Sequence, residues 1–175
     1  SRIIAIKILR DSMVSRTSLN LIYSKYFKNL EISPGDKRFI TEITKGTIRM
    51  SKRIDNEISY HCKSKIQKLE KFYLIILRIG VYQINYMDKI PDYATVSTSV
   101  DITKRYFPKY SKLTNALLRN VASHKYKLEK PEENNSIEDL SIYYSHPEWL
   151  IDKWLNKYGY LSTVKLLNSG TTGKA

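Results

Sequence analysis

The segment from Phe72 to Met87 constrains the fold of this chain more than any other. On a helical wheel Leu74, Leu77, Val81 and Ile84 occupy one face, and Phe72, Ile75, Ile76 and Ile79 another. A helix that is apolar on all sides must be surrounded by other elements, so this segment predicts the central helix of a bundle. Arg78, Gln83 and Asn85 interrupt it, and it is too short to span a bilayer. Gly80 lowers helix propensity in its middle, which predicts close approach of a neighbouring helix. Arg78 is expected there either as a buried ion-pair partner or as a phosphate contact.

The remaining apolar residues recur at helical spacing and supply the neighbours. Ile4, Ile8 and Leu9, with Ala5 between them, predict a helix over roughly residues 2–13. Leu19, Ile22, Tyr23, Tyr26 and Phe27 predict a second. Ser33-Pro34-Gly35-Asp36 then reads as a helix start, with Phe39, Ile40, Ile43 and Ile48 behind it. Ile54 and Ile58 mark a separate short helix. Beyond Pro91, Tyr93, Val96, Val100 and Phe107 mark another, and Leu113, Ala116, Leu117 and Val121 the next. Residues 127–135 form a polar, proline-containing linker. After it, Ser136-Ile137-Glu138-Asp139 and Ser145-His146-Pro147-Glu148 both read as capping boxes, the second opening a helix with Trp149, Leu150 and Trp154 that closes near Gly159. No segment has convincing strand alternation, so the expected class is all-α.

Charge divides the chain where the linker begins. The whole chain carries a net +13; residues 1–128 hold 25 Lys and Arg against 10 Asp and Glu, and residues 129–175 hold five against seven. The first region is therefore +15 and the second −2. A concentrated positive field attracts polyanions, and nucleic acid releases counterions when it binds one. A solvated lysine-rich surface would carry the same count. Basic residues expected to face a nucleic acid are Arg2, Lys7 and Arg10 on the first helix, and Lys37, Arg38, Lys45 and Arg49 on the third. Lys104, Arg105, Lys112 and Arg119 flank the junction of the last two helices of the basic region. Fourteen tyrosines are interleaved; most are expected in packing and a few could stack on unpaired bases.

Catalytic chemistry finds little to work with. A single cysteine, Cys62, excludes an internal disulfide framework and a multi-cysteine zinc site. His61, His124 and His146 lie far apart; His61 and Cys62, being adjacent, diverge on a helix, and the plain expectation is a surface histidine and an inert thiol. Asp36, Asp139 and Glu148 are taken by helix starts. Gly170-Thr171-Thr172-Gly173-Lys174 superficially resembles a phosphate-binding loop but lacks its spacing and its strand, and reads as a tail over 169–175. No catalytic residue, metal site or cofactor site is expected in this chain, nor a membrane segment. The lone cysteine and the lack of a signal peptide predict a cytoplasmic protein. The start at Ser1 in place of methionine suggests a trimmed or tagged beginning.

Several strings resemble a known family. Asp36-Lys37-Arg38-Phe39, then Glu42-Ile43 and Gly46-Thr47-Ile48-Arg49, are similar to the D-R-x-F … E-L-x-x-G-x-x-R segment of NusB-like domains. Leu77-Arg78-Ile79-Gly80-Val81-Tyr82-Gln83, Ile90-Pro91-Asp92-Tyr93-Ala94 and Val100 resemble L-R-x-G-x-Y-Q-L … V-P-x-Y-A … V, and Asn115-Ala116-Leu117-Leu118-Arg119 resembles N-A-V-L-R. Free-standing NusB, a transcription antitermination factor, normally stops soon after that last helix and tends to carry an acid at the position of Arg119. Here Ser145-His146-Pro147-Glu148-Trp149-Leu150, Trp154 and Tyr158-Gly159 resemble the S-x-P-x-W-L … W … Y-G connector of the Sun/RsmB small-subunit ribosomal RNA cytosine-C5 methyltransferases.

That resemblance implies a NusB-like helical bundle over 1–128, a helical connector over 129–168 and a tail over 169–175. It implies an rRNA-binding module whose catalytic, S-adenosylmethionine-binding domain lies outside these residues and packs on 136–168. Cys62 matches no catalytic cysteine motif of the family. The partners implied are small-subunit ribosomal RNA and that missing domain. The alternative is a NusB-type antitermination factor that regulates transcription by binding RNA with a protein partner, and a purely structural domain is a third possibility. Arg2, Lys7 and Arg10 correspond loosely to the basic first helix that NusB uses on RNA.

Overall fold

A computed structural model describes residues 1–123 and 126–171. Nine helices follow one another among them, with no strand: α1 Arg2–Val14, α2 Leu19–Asn29, α3 Pro34–Arg49, α4 Ser51–His61, α5 Lys71–Tyr86, α6 Asp92–Tyr106, α7 Ser111–Ser123, α8 Ile137–Tyr144 and α9 Glu148–Thr171. Short 3-10 turns at Ile66–Lys68 and Pro108–Tyr110 lead into α5 and α7. None of the described helices is long and apolar enough to cross a membrane. The expected all-α class is what the chain adopts.

The all-round apolar segment is the central helix. α5 packs against α1, α3, α4, α6 and α7, and ten of its sixteen residues are buried. Two glycines let its neighbours come close. A Cβ at Gly80 would lie 2.8 Å from a Leu118 methyl carbon, so α7 is the helix whose approach Gly80 permits. A Cβ at Gly46 of α3 would fall 2.0 Å from Tyr82 Cζ, inside the ring that α5 lays against α3. Polar ties cross the bundle between its helices. Tyr73 and Thr114 hydroxyls meet at 2.9 Å, Thr103 and Thr114 at 3.1 Å, and Tyr23 bonds Thr44. Arg78 is an ion-pair partner: its guanidinium grips both carboxylate oxygens of Asp55 at 2.7 Å, tying α5 to α4.

Residues 137–171 form a smaller unit with its own apolar cluster, Leu140, Tyr144, Ile151 and Leu167, and α8 leans on α4. The Ser136–Asp139 capping box is present in full. The second expected box is not. Ser145 ends α8 in the left-handed region (φ 53°, ψ 50°), its N–H returning to the Ser141 carbonyl. Leu150 and Ile151 N–H groups instead donate to the Pro147 carbonyl at 3.1 and 3.2 Å, which starts α9. Two helices meeting within three residues need a reversal, and Ser145 supplies it. α9 is bent at Gly159 (φ 75°), where its first run closes as expected, and then continues helical to Thr171. Residues 172–175 of the expected tail, and His124, lie outside the described residues. His61 departs from the surface position expected of it: its side chain is 6% exposed, one helical turn from buried Glu57 at 4.0 Å. α4 buries Ile54 and Ile58, and Glu57 and His61, each three residues after one of them, share that inward side.

Candidate nucleic-acid interface

α3 presents the most coherent basic surface. Its inner face buries Ile40, Ile43, Thr44 and Thr47, so residues at the complementary helical spacing must face out. Lys37, Arg38, Lys45 and Arg49 line one shallow hollow of about 490 Å³ around Gly46. Arg38, Lys45 and Arg49 are exposed, and Lys37 is half-buried with its ammonium 5.8 Å from the Phe27 ring centre. Glu42 lines the hollow too, but Tyr82 reaches across Gly46 and donates its hydroxyl proton to this carboxylate at 2.8 Å. Burial, and then the hydrogen bond to Glu42, push the Tyr82 hydroxyl up to about 12, so it remains a donor at neutral pH. The acid therefore has a fixed partner beneath the cations. Cations on one helix face with no aromatic among the lining residues suit phosphates.

The three basic residues of α1 are used differently. Arg2 turns inward: its Nε donates to Gln83 Oε1 at 2.7 Å and its guanidinium lies 5.3 Å from the Phe39 ring centre. Burial lowers its pKa. This side chain ties α1 to α3 and α5. Lys7 and Arg10 are exposed and line a separate narrow slot with Phe72 and Tyr106. Arg10 pairs with Asp11 at 3.0 Å.

The α6–α7 group divides again. Lys104 and Arg119 line a hollow of about 570 Å³, together with Asp92, Asp101, Asn115 and the exposed Tyr93. Two carboxylates offset two cations there, which weakens the attraction for phosphate. Arg105 lies over the Tyr106 ring at 5.4 Å, and Lys112 is exposed on the first turn of α7. The eleven basic residues thus fall into separate groups on different helices.

Four exposed lysines escaped the sequence reading: Lys63, Lys65, Lys68 and Lys71, around the turn between α4 and α5. Their signal was a polar stretch with a cation every two or three residues between two apolar helices. Also missed was Glu57, a carboxylate only 3% exposed, whose Oε2 accepts from Asn85 at 2.5 Å. No group of three His, Cys, Asp or Glu side chains among the described residues could hold a metal ion. Gly46 and Gly80 are filled by packing, Gly35 lies in the first turn of α3, Gly159 forms a bend, and no strand leads into a glycine loop.

Fold and charge together define an all-α bundle with basic outer faces. The chain belongs to the NusB family, whose sequence model matches residues 1–123. It is 29% identical over 170 residues to the "Probable ribosomal RNA small subunit methyltransferase B" of Bacillus subtilis (strain 168), covering 94% of this chain and 37% of that protein. The protein of the same description from Synechocystis sp. is 29% identical over 171 residues, covering 95% and 37%. The chain thus spans little more than a third of the length of these relatives. It is also 25% identical over 140 residues to the "Transcription antitermination protein NusB" of Acetivibrio thermocellus, covering 79% of this chain and 97% of that protein. Among solved structures, "Crystal Structure of PH0851" shares the fold with a TM-score of 0.70 at 20% identity, over 97% of this chain and 37% of that one.

Proposed function

We propose that this chain is the RNA-holding part of an S-adenosylmethionine-dependent small-subunit rRNA cytosine-C5 methyltransferase whose methyl-transfer chemistry belongs to residues outside it. In this reading 1–128 grips ribosomal RNA, chiefly through the phosphates facing α3. Residues 129–168 form the connector on which the catalytic domain packs. The carrying observation is how far the likeness reaches. The match to the two methyltransferases runs through 170 and 171 residues, connector included, while the match to the Acetivibrio NusB spans 140. Trp149 and Leu161 of α9, 67% and 76% exposed, support a connector that meets a further surface. A ribosomal RNA ligand also implies a cytoplasmic protein.

A salt series with small-subunit rRNA fragments tests the binding half. Log K should fall by about 0.7 to 0.9 per log unit of salt for each phosphate neutralised. Replacing Arg38, Arg49 and Arg119 by Ala should flatten that slope while leaving the fold intact, with the first two accounting for most of it. An unchanged slope would remove these residues from the interface, and no binding at low salt would remove the reading. For the second half, the product of the complete reading frame is assayed for methyl transfer to small-subunit rRNA. The near end-to-end match to a NusB protein favours a second reading, an antitermination factor. Absence of methyl transfer, together with RNA binding that needs a protein partner, would select it.

A further inference from the structure

We infer that Glu42 is the residue by which the α3 surface tells ribose from deoxyribose, its second carboxylate oxygen accepting a hydrogen bond from a 2′-hydroxyl of the bound RNA. This rests on the RNA-binding reading above and goes beyond it by giving that surface a specificity. An acid in a phosphate-binding hollow works against the attraction around it. Arg38, Glu42, Lys45 and Arg49 follow one another along α3 at intervals of four, three and four residues. The exposed carboxylate therefore has a cation one helical turn away on either side, a spacing that favours an ion pair. Yet among the described residues Glu42 pairs with none of the four cations that line the hollow. Lys45 lies 5.9 Å from the Tyr23 ring centre, and Glu42 Oε1 accepts from the Tyr82 hydroxyl at 2.8 Å. Tyr82 is buried, its ring fixed against Gly46, and it keeps its proton at neutral pH.

The Tyr82 bond has two consequences. It holds the carboxylate off Arg38 and Lys45, which stay available to phosphates. It also occupies Oε1 and leaves Oε2 with no hydrogen-bond donor among the described residues. A strand that lays phosphates on cations to either side of Glu42 sets a sugar between them. In RNA that sugar carries a 2′-hydroxyl, a donor that DNA lacks. A hydroxyl bonded to a carboxylate is charge-assisted and stronger than one bonded to a neutral acceptor. With deoxyribose the acid meets only C–H groups, and its repulsion of the phosphates goes uncompensated. Four cations without the acid would hold RNA and DNA alike. A base amino group could donate to the same oxygen, but the hollow is shallow and no aromatic side chain lines it, so nothing there draws a base out of its stack.

The test measures binding of three oligomers of one sequence to the chain as it is, at one salt concentration: RNA, its 2′-fluoro form, and DNA with uracil in place of thymine. The fluoro sugar keeps the pucker of ribose and lacks the donor. RNA should bind about 10-fold more tightly than either of the others, the low end for a hydrogen bond to a charged group, because the hollow is open to water. Glu42→Ala should tighten binding of all three by removing a negative charge, and should bring their affinities together. Tyr82→Phe keeps the charge but releases the carboxylate, so it should lower the preference for RNA without the general gain in affinity. Should Tyr82→Phe lose helicity, Glu42→Ala decides alone, because that side chain is exposed. Equal affinity of the parent chain for RNA and its 2′-fluoro form, or a preference for RNA that survives Glu42→Ala, overturns the role of Glu42 while leaving RNA binding in place. A variant that alters preference among bases and not between sugars overturns it as well. Failure of the parent chain to bind any RNA overturns both.

Discussion

Around α5 the bundle closes on every side, so that Tyr73, Leu77 and Val81 have no exposure, whereas the connector gathers only Leu140, Tyr144, Ile151 and Leu167 and leaves Trp149 and Leu161 in solvent. The polar links between them are correspondingly slight. Arg53 of α4 donates to the Tyr143 carbonyl at 3.4 Å and lies over its ring at 5.1 Å. Charge follows the same division, +15 against −2. A core of four buried side chains, flanked by half-buried Ile137, Tyr143, Trp154, Leu155, Tyr160 and Val164, is small and gains from another surface laid over it. The bundle therefore has a closed core and the connector an open one.

The largest effect should come from attacking the bundle at its tightest contact. Gly46→Ala places a methyl inside the Tyr82 ring position and should cost about 3 kcal/mol or more, read as a lower urea midpoint with an unchanged slope. If it costs nothing, α3 and α5 are not held as described. Next comes the connector. Ile151→Ala should cost about 2 to 4 kcal/mol, since the side chain is fully buried in the connector's cluster. Hydrogen exchange should quicken in α8 and α9 while α5 stays protected. Equal loss of protection in both would show a single cooperative unit and erase the comparison.

The smallest effects set opposite pH dependences against each other. Burial raises the pKa of Glu57, against the Asn85 hydrogen bond and the Arg53 charge. Its folded-state pKa lies above the unfolded value, so its penalty is absent below the ordinary carboxylate range and grows as pH rises through it. The hydrogen bonds from the Ser136 side chain and backbone lower that of Asp139. Its contribution is full above the ordinary range and is lost as pH falls through the depressed value. Glu57→Gln should then stabilise the bundle at pH 7 but not at pH 3, and Asp139→Asn should loosen α8 at pH 7 but not at pH 2. Unfolding curves followed by circular dichroism at these pH values check both signs.

What the sequence made legible was set by how local each feature is. The wheel of α5 and the capping box at Ser136 depend on residues within a few turns, and both are present as read. Ser145 shows the limit. A serine three residues before a glutamate has the spacing of a helix start, yet here the preceding helix needs a left-handed residue to end on and takes the same serine. His61 and Glu57 are polar letters on α4, and their burial follows from sharing the side of Ile54 and Ile58, which packs against the bundle. Among the basic residues the type was readable but the grouping was not. Arg2 and Arg38 are both arginines near the start of a helix, and one anchors α1 to Gln83 while the other faces water. The lysines after α4 lack any apolar rhythm, so periodicity passes over them.

The seating of Tyr82 on Gly46 also bears on how such a chain can vary through descent. Two positions 36 residues apart behave as a single inherited character, since any side chain at 46 demands a smaller one at 82, and a smaller one at 82 releases 46 from being glycine. Lineages should therefore change the two together or not at all. Tyr82→Ala should make Gly46→Ala harmless, so that tolerance measured at either position alone misstates what the pair permits.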